Sequence, residues 1–512
     1  MQQEEYDVIV IGSGMGGLAS AALTSAAGLR TLVLEHHFLP GGNAQTFRRK
    51  KMFDFDVGLH YIGDCGPGGV FPMLMGQLGI GDRVEFLPMD RDGFDTLIYP
   101  DMTFRVPVGW DNYESRLKET FPEEARAIER LAALMRALAA SAFGSPSPEL
   151  EAFERRLRKP WQTWTLGEVF DSLECSLRLR SVVSAESGTY GAPPSRATAA
   201  IQAFILDHYL KGAYYVRGGS RALVDALVAA IEEKGGQIRL RSRVSRILVE
   251  KGRAVGVELA KGEVFRARFI VSNADAKRTF LEMVGEERLS TGLRERLHAF
   301  RMALPLFIVY LALQVDPRDL GLRNSNYSLF PSYDPEEQYA VCYAGEIPER
   351  PAAFLSIASL KDPESRNIAP EGYTNLQIMT LAPAQLTSWG VEKGPASGGR
   401  YRHTMPYKVA KQTLEERLLE VTEEMMPGLL KNIVWRESAT PITQERFTLS
   451  TGGTSYGFEH APDQFRERRL ATQTEIPGLY LAGANTIFGH GIAGATVSGV
   501  AAGNAVIAAA SS

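Results

Sequence analysis

Apolar positions follow two rhythms along this chain, and the switches between them mark out its elements. Residues 6–11 (YDVIVI) form an unbroken, largely β-branched run, the pattern of a strand covered on both faces in a parallel sheet. Residues 18–28 (LASAALTSAAG) are small and alanine-rich, which predicts a helix ending near Gly28. Residues 31–34 (TLVL) predict a second strand, so the opening reads as a βαβ unit. Farther on, Ile128, Leu131, Leu134, Met135 and Leu138 recur at helical spacing, and residues 114–143 read as helical. A helix over 220–234 is stopped by Gly235-Gly236 and followed by an alternating strand pair up to residue 250. Residues 263–275, 306–313 (LFIVYLAL) and 354–360 (FLSIASL) predict strands, and a short strand near 479–482 ends at Gly483. The small residues from there to 510 suit a closely packed helix. Ser145-Pro146-Ser147-Pro148 and residues 394–399 (GPASGG) read as loops.

Glycine placement adds chemistry to this pattern. Gly12, Gly14 and Gly17 spell G-x-G-x-x-G directly after the first strand, with Met15 and Gly16 between them. The first glycine permits a tight turn, the second lets backbone approach a pyrophosphate, and the third lets helix pack on strand. The helix start then offers free N–H groups and the positive end of its dipole to phosphate. Glu35 closes the second strand, about 20 residues on, where an acid accepts hydrogen bonds from a ribose diol. An acid there favours an unphosphorylated ribose, hence FAD or NAD over NADP; a purely structural glycine turn is the alternative. A second glycine pair, Gly41-Gly42, precedes Asn43 and suits backbone contact with a cofactor that extends past its pyrophosphate; a plain turn is its alternative. Near the other end, Gly483-Ala484-Asn485 and then Gly491-Ile492-Ala493 lead into the last helix. A glycine loop feeding a helix start there can stabilise negative charge on a reduced flavin ring. No second G-x-G-x-x-G directly follows a strand, so no separate NAD(P)H domain is expected.

Taken together, these blocks resemble the flavoprotein superfamily of amine oxidases and phytoene desaturases. Within it the chain is most similar to the retinol saturase, carotenoid isomerase and phytoene desaturase branch. The resemblance is carried by DVIVIGSGMGGLASAA, PGGNAQTF, DFDVGLHYIG (54–63), YGAPPS (190–195), HYLKGAYYVRGGSRALVDAL (208–227) and LYLAGANTIFGHGIAGA (479–495). It departs at Asn43-Ala44, where amine oxidases commonly carry arginines and saturase-like chains a cysteine-containing segment. The resemblance implies an α/β chain (α+β overall): a discontinuous Rossmann-type FAD-binding domain with a mixed-sheet plus helical substrate domain. The FAD domain would combine residues 1–75, 215–285 and 465–512, and the substrate domain residues 76–214 and 286–464. FAD, held without a covalent bond, would also meet His36, the Gly58-Leu59-His60 segment, Val244 against its adenine, and Asn273-Ala274 where the chain returns to the cofactor domain. The strands at 306–313 and 354–360 would roof the flavin.

The same resemblance implies an oxidoreductase that saturates or desaturates a carbon–carbon bond in a lipophilic polyene or isoprenoid. A flavin-dependent cis–trans isomerase, an oxidase of an amine or porphyrinogen, and a non-enzymatic isoprenoid escort are the competing readings. The electron donor or acceptor stays open: oxygen, a quinone or another carrier. His60 and His490 are the proton-handling candidates, because an imidazole can titrate near neutral pH; for each, the alternative is a histidine fixed by its hydrogen bonds. His208, Tyr209, Tyr214 and Tyr215 line either the substrate entrance or the core, and Cys65 is read as packing.

Composition narrows the setting. Of 512 residues 45% are hydrophobic and 23% charged, with a net charge of -4, which offers no basic footprint for nucleic acid. Three scattered cysteines fit a reducing compartment better than a disulfide framework, and no histidine or carboxylate grouping has metal spacing. The start lacks a secretory pattern, and no stretch reads as an ordinary spanning helix. Residues 155–166 (RRLRKPWQTWTL) mix basic residues with Trp161 and Trp164, a composition that suits a membrane interface; a solvated face with buried tryptophans is the alternative. The expected location is cytoplasmic with peripheral membrane contact.

Overall fold

Two seven-stranded sheets organise the chain; the computed structural model describes residues 5–141 and 147–512. Ser145 and Pro146, and the end of the 114–143 stretch, lie outside the described residues. The first sheet runs Gln237–Arg239, Thr31–Leu34, Glu5–Ile11, Val264–Ser272, Arg253–Leu259, Val244–Glu250. Val264–Ser272 is shared at its two ends. Its start pairs antiparallel with Arg253–Leu259, and its end pairs parallel with Leu479–Leu481.

The apolar run at 6–11 is continuous because both faces of this sheet are covered. Val8 and Val10 join Val33, Leu18, Leu223, Leu227, Val500 and Val506 in one core. Ile9 and Ile11 join Leu32, Leu34, Ile247, Val257 and Leu297 in another. Each such buried side chain contributes roughly 1.5–3 kcal/mol of transfer free energy. Helices Met15–Ala26, Ser220–Glu233 and Gly491–Ser511 cover the first face. The first and last of them approach closely: a Cβ on Gly499 would lie 2.2 Å from the carbonyl oxygen of Gly16. Small residues in the last helix are what permit this spacing.

The second sheet runs Ile433–Ala439, Leu306–Leu313, Thr374–Leu381, Ala353–Ile357, Asn326–Leu329, Asp95–Tyr99, Met102–Val106. Helix Met405–Met425 packs Leu414 and Leu418 against its Phe307, Val309 and Leu311. A hairpin of Thr46–Arg49 and Phe53–Asp56 lies between the sheets. Phe47 and Phe55 pack edge-on against Tyr310, Phe55 also packs against Trp435, and Arg49 makes a two-pronged ion pair with Glu437.

Several elements differ from the sequence reading. The strand expected over 354–360 ends at Ile357, and Ala358–Lys361 turns into a helix. There Ser359 Oγ accepts the Asn375 N–H, replacing a ladder bond. The alternating pair after Gly236 is split: Gln237–Arg239 and Val244–Glu250 occupy opposite edges of the first sheet. The 114–143 helix breaks at Pro122, which lacks the N–H that would continue it, giving Trp110–Thr120 and Ala125–Ala140. Ser147 and Pro148 open helix Pro148–Leu157, with Ser147 as its cap, instead of extending a loop. Within GPASGG, residues Pro395–Ser397 form a short 3₁₀ turn.

The membrane-interface reading of 155–166 is also corrected. Trp161 and Trp164 are buried in a helical core while Arg155, Arg156 and Arg158 face solvent, so the two residue types share no surface. The Trp164 indole N–H donates to the Lys159 carbonyl at 3.0 Å. Conversely, the C-terminal helix Gly491–Ser511 is long and apolar enough to cross a membrane by length and composition, with a mean hydropathy of 1.6 over its most apolar stretch. One side of it is committed to the first helix.

Candidate functional site

The glycine turn after the first strand is built by backbone geometry. Gly12 adopts φ +90°, and a Cβ on Gly17 would stand 2.0 Å from the Gly12 carbonyl oxygen, so helix and turn meet only without side chains. Gly14 precedes helix Met15–Ala26 with no side chain capping it. The first-turn N–H groups are therefore free for an anion, as a pyrophosphate requires. Ser13, passed over in the sequence reading, joins the pieces. Its N–H and hydroxyl donate to one Glu35 oxygen at 2.8 and 2.7 Å, and its carbonyl accepts the Gly41 N–H at 3.0 Å. The His37 N–H donates to the other Glu35 oxygen at 2.7 Å. The acid is thus held at the end of its strand with acceptor capacity left for a ribose hydroxyl.

Gly42 lies over Gly14, where a Cβ would come within 3.0 Å of the Gly14 Cα. The Asn273 amide touches three glycines: a Cβ on Gly14, Gly16 or Gly483 would meet it at 2.7, 2.6 or 2.7 Å. Val244 and Ala274 pack with the core on the far side of the sheet, and Leu59 with the core on the helix side. Several polar candidates are committed to protein partners. The His36 ring donates to the Phe447 carbonyl at 2.9 Å, the Asn43 amide engages Gln444, and Asn485 Oδ1 accepts the Phe458 N–H. Arg469, also missed, is buried with its guanidinium donating to the carbonyls of Thr486 and Ala484 at 2.9 and 2.7 Å. It ties down the Gly483-to-Thr486 loop, and burial lowers its pKa to about 9.

A cavity of about 740 Å³ opens beside the start of the last helix. Gly58, His60, His490, Gly491, Ile492 and Ala493 line one side; Ile201, Phe204, Ile205, Leu306, Ile308, Phe354 and Met379 line others. Both histidines line the cavity, and burial disfavours their protonated forms. Burial, then the Lys361 charge, lowers the His60 pKa to about 3, and its Nδ1 has no hydrogen-bond partner. Burial lowers the His490 pKa to about 4. His490 Nε2 lies 2.9 Å from the Thr189 carbonyl, and its Nδ1 lies 2.8 Å from His460 Nε2. The expectation of imidazoles titrating near neutrality is corrected for both: desolvation disfavours the cation.

The remaining candidates sit as follows. His208 lines the cavity and accepts the Gly63 N–H at 2.8 Å, and burial lowers its pKa to about 4. Tyr209 stacks on Tyr61 with ring centres 4.1 Å apart. Tyr214 packs against the helix-side core, and Tyr215 donates to buried Asp56. Cys65 is buried, its thiol on the Gly63 carbonyl. Lys361 had no sequence signal beyond a lysine ending an apolar strand. The residue is 2% exposed, and its ammonium donates to the His60 carbonyl, Asn326 Oδ1 and Ser356 Oγ. Burial lowers its pKa to about 7.

Residues 15–345 match the family model described as flavin containing amine oxidoreductase. The all-trans-retinol 13,14-reductase of Rattus norvegicus is 30% identical over 98% of this chain and 86% of its own length. The chloroplastic prolycopene isomerase of Daucus carota is 26% identical over 98% of this chain and 79% of its own. The solved cyclohexylamine oxidase of Brevibacterium oxydans superposes with a TM-score of 0.65 at 17% identity, covering 99% of this chain and 100% of that one. With a glycine cradle and acid that fit a dinucleotide and a family model spanning more than half its length, the chain belongs to the flavin-containing amine oxidoreductases, and its cofactor is FAD.

Proposed function

We propose that this FAD-dependent oxidoreductase saturates or desaturates a carbon–carbon bond of a lipophilic polyene of retinoid or carotenoid type. The observation that carries the reading is the cavity: large, walled by aliphatic and aromatic side chains, and ending at the glycine-rich helix start. Bound FAD would supply the hydride chemistry. Gly12, Gly14 and the first-turn N–H groups would hold its pyrophosphate, Glu35 its ribose, Val244 its adenine side, and Gly58, Gly491, Ile492 and Ala493 the ring. Phe354, Phe204 and Tyr209 would orient a flat, apolar chain and exclude water. Residues 1–75, 215–285 and 465–512 would then serve the cofactor, and 76–214 with 286–464 the substrate. The reductase relatives support this assignment along nearly the whole chain. Peripheral membrane contact would bring such a substrate to the opening, where Val70 lines the cavity and Met73 on the same helix is 59% exposed.

The isomerase relatives favour a second reading, in which a polyene is rearranged with no net redox change. Anaerobic incubation of the purified flavoprotein with carotenoids and retinoids, flavin oxidised or pre-reduced, separates them. A product two hydrogens lighter or heavier supports redox chemistry, and an unchanged mass with altered geometry supports isomerisation. No response to any polyene in either flavin state defeats both. His60→Ala should keep its FAD and lose about tenfold or more in turnover, corresponding to about 1.4 kcal/mol of barrier; unchanged turnover removes His60 from the chemistry.

A further inference from the structure

We infer that Glu186 is the cavity-facing acid that exchanges a proton with the substrate carbon, and that Tyr61 and Asp95 hold that proton in place between turnovers. The assignment rests on the polyene redox reading above and adds to it the second of the two hydrogens.

Glu186 lies on the 3₁₀ turn Ala185–Thr189, the turn whose Thr189 carbonyl holds His490. It lines the cavity and is 8% exposed. Asp95, at the start of strand Asp95–Tyr99, stands behind it at 1% exposure. The Tyr61 hydroxyl lies 3.1 Å from Asp95 Oδ2 and 3.0 Å from Glu186 Oε2. That hydroxyl has one hydrogen of its own, so it can donate to only one carboxylate. The other contact requires a proton on a carboxyl group. Asn326 fixes which acid keeps its charge: its amide N–H₂ donates to Asp95 Oδ1 at 2.7 Å, and its carbonyl is turned toward the Lys361 ammonium. Asp95 is accordingly the carboxylate and Glu186 the acid. Burial raises the pKa of both carboxyl groups, Glu186 well above the ordinary value, with the Asp95 charge adding to it.

In saturation, the π pair of a substrate double bond forms a C–H bond with the Glu186 proton. FAD, when bound and reduced, would supply the hydride for the neighbouring carbon. Two electrons and two hydrogens enter, Glu186 is left as a carboxylate facing the Tyr61 hydroxyl, and solvent restores its proton. Desaturation runs the same transfers backward. General acid catalysis of this kind is worth about 10²–10⁴-fold.

The test uses the purified holoenzyme and its Glu186→Gln, Glu186→Asp and Tyr61→Phe variants. Infrared spectroscopy at neutral pH should show a protonated carboxyl band in wild type that shifts in D₂O and is lost in Glu186→Gln. Wild type pre-reduced in D₂O should place two solvent deuterons on the saturated bond, because the transferable hydrogen of a reduced flavin exchanges with solvent as the Glu186 proton does. Glu186→Gln should turn over about 10²-fold or more slowly at unchanged flavin content, with Glu186→Asp partly restoring it. Tyr61→Phe should keep FAD and weaken the hold on the proton, moving the band. A wild-type band absent, or unchanged by Glu186→Gln, overturns the assignment, as does Glu186→Gln turnover at the wild-type rate. Wild type inert toward every polyene defeats the polyene reading instead, while the infrared result still decides where the proton resides.

Discussion

The glycine cradle and the cavity wall are built by opposite means. The cradle is backbone: Gly12, Gly14, Gly17 and Gly42 matter for the side chains they lack, and the ligands they offer are peptide N–H groups. The wall is side chain: Tyr61 and Glu186 line the cavity, Asp95, Asn326 and Lys361 back them, and all act through what they carry. A backbone site tolerates little addition, since a Cβ would crowd its neighbours at Gly14, Gly17 and Gly42 and would be strained by the positive φ at Gly12. A side-chain site tolerates little subtraction, since each buried polar group is another's partner.

Variants that add and variants that subtract should therefore fail differently. Gly17→Val should have the largest effect, because its Cβ meets fixed backbone at 2.0 Å. We expect a loss of about 3 kcal/mol or more, visible as a drop in thermal midpoint with loss of flavin; a midpoint near wild type would break the comparison. Gly14→Val adds bulk against the Asn273 amide, a side chain that can move. It should fold and purify without FAD, and full flavin occupancy would refute the cradle. Lys361→Met subtracts a cation from Asn326 Oδ1 and the His60 carbonyl. It should cost about 2–3 kcal/mol in denaturant unfolding while retaining FAD.

The smallest effect sharpens the comparison through pH. His490 is held neutral, its pKa lowered from 6.5 to about 4 when folded. The stability it contributes is complete above pH 6.5 and drains away as pH falls toward 4, because the unfolded chain binds the proton first. His490→Asn cannot titrate, so the stability gap between wild type and variant should narrow by up to about 1.4 kcal/mol per pH unit across that interval. A gap that stays constant would show that the ring is not held neutral.

The cradle was legible in the sequence because its parts lie in one stretch and in chain order: strand, glycines, helix, strand, Glu35. The strand at 306–313 was legible for a similar reason, a continuous apolar run. The wall was not. Glu186 is a single acid four residues before the YGAPPS block, and Lys361 a single lysine at the end of an apolar strand. Their meaning arises from burial beside each other, which periodicity does not encode. The tryptophans of 155–166 were ambiguous on the same ground: composition placed them beside arginines, and only packing turned them inward. The histidines were found but their state was not, since burial shifts a titration without changing the residue.

The shared strand Val264–Ser272 has a consequence for how the molecule is made. During vectorial synthesis Glu5–Ile11 emerges early, yet its main partner follows more than two hundred and fifty residues later, and Leu479–Leu481 and the last helix come later still. Until then the apolar first strand has one covered edge at most. The cofactor sheet therefore closes late, and until it does the opening strand presents an unpaired edge of the kind that invites association with other chains.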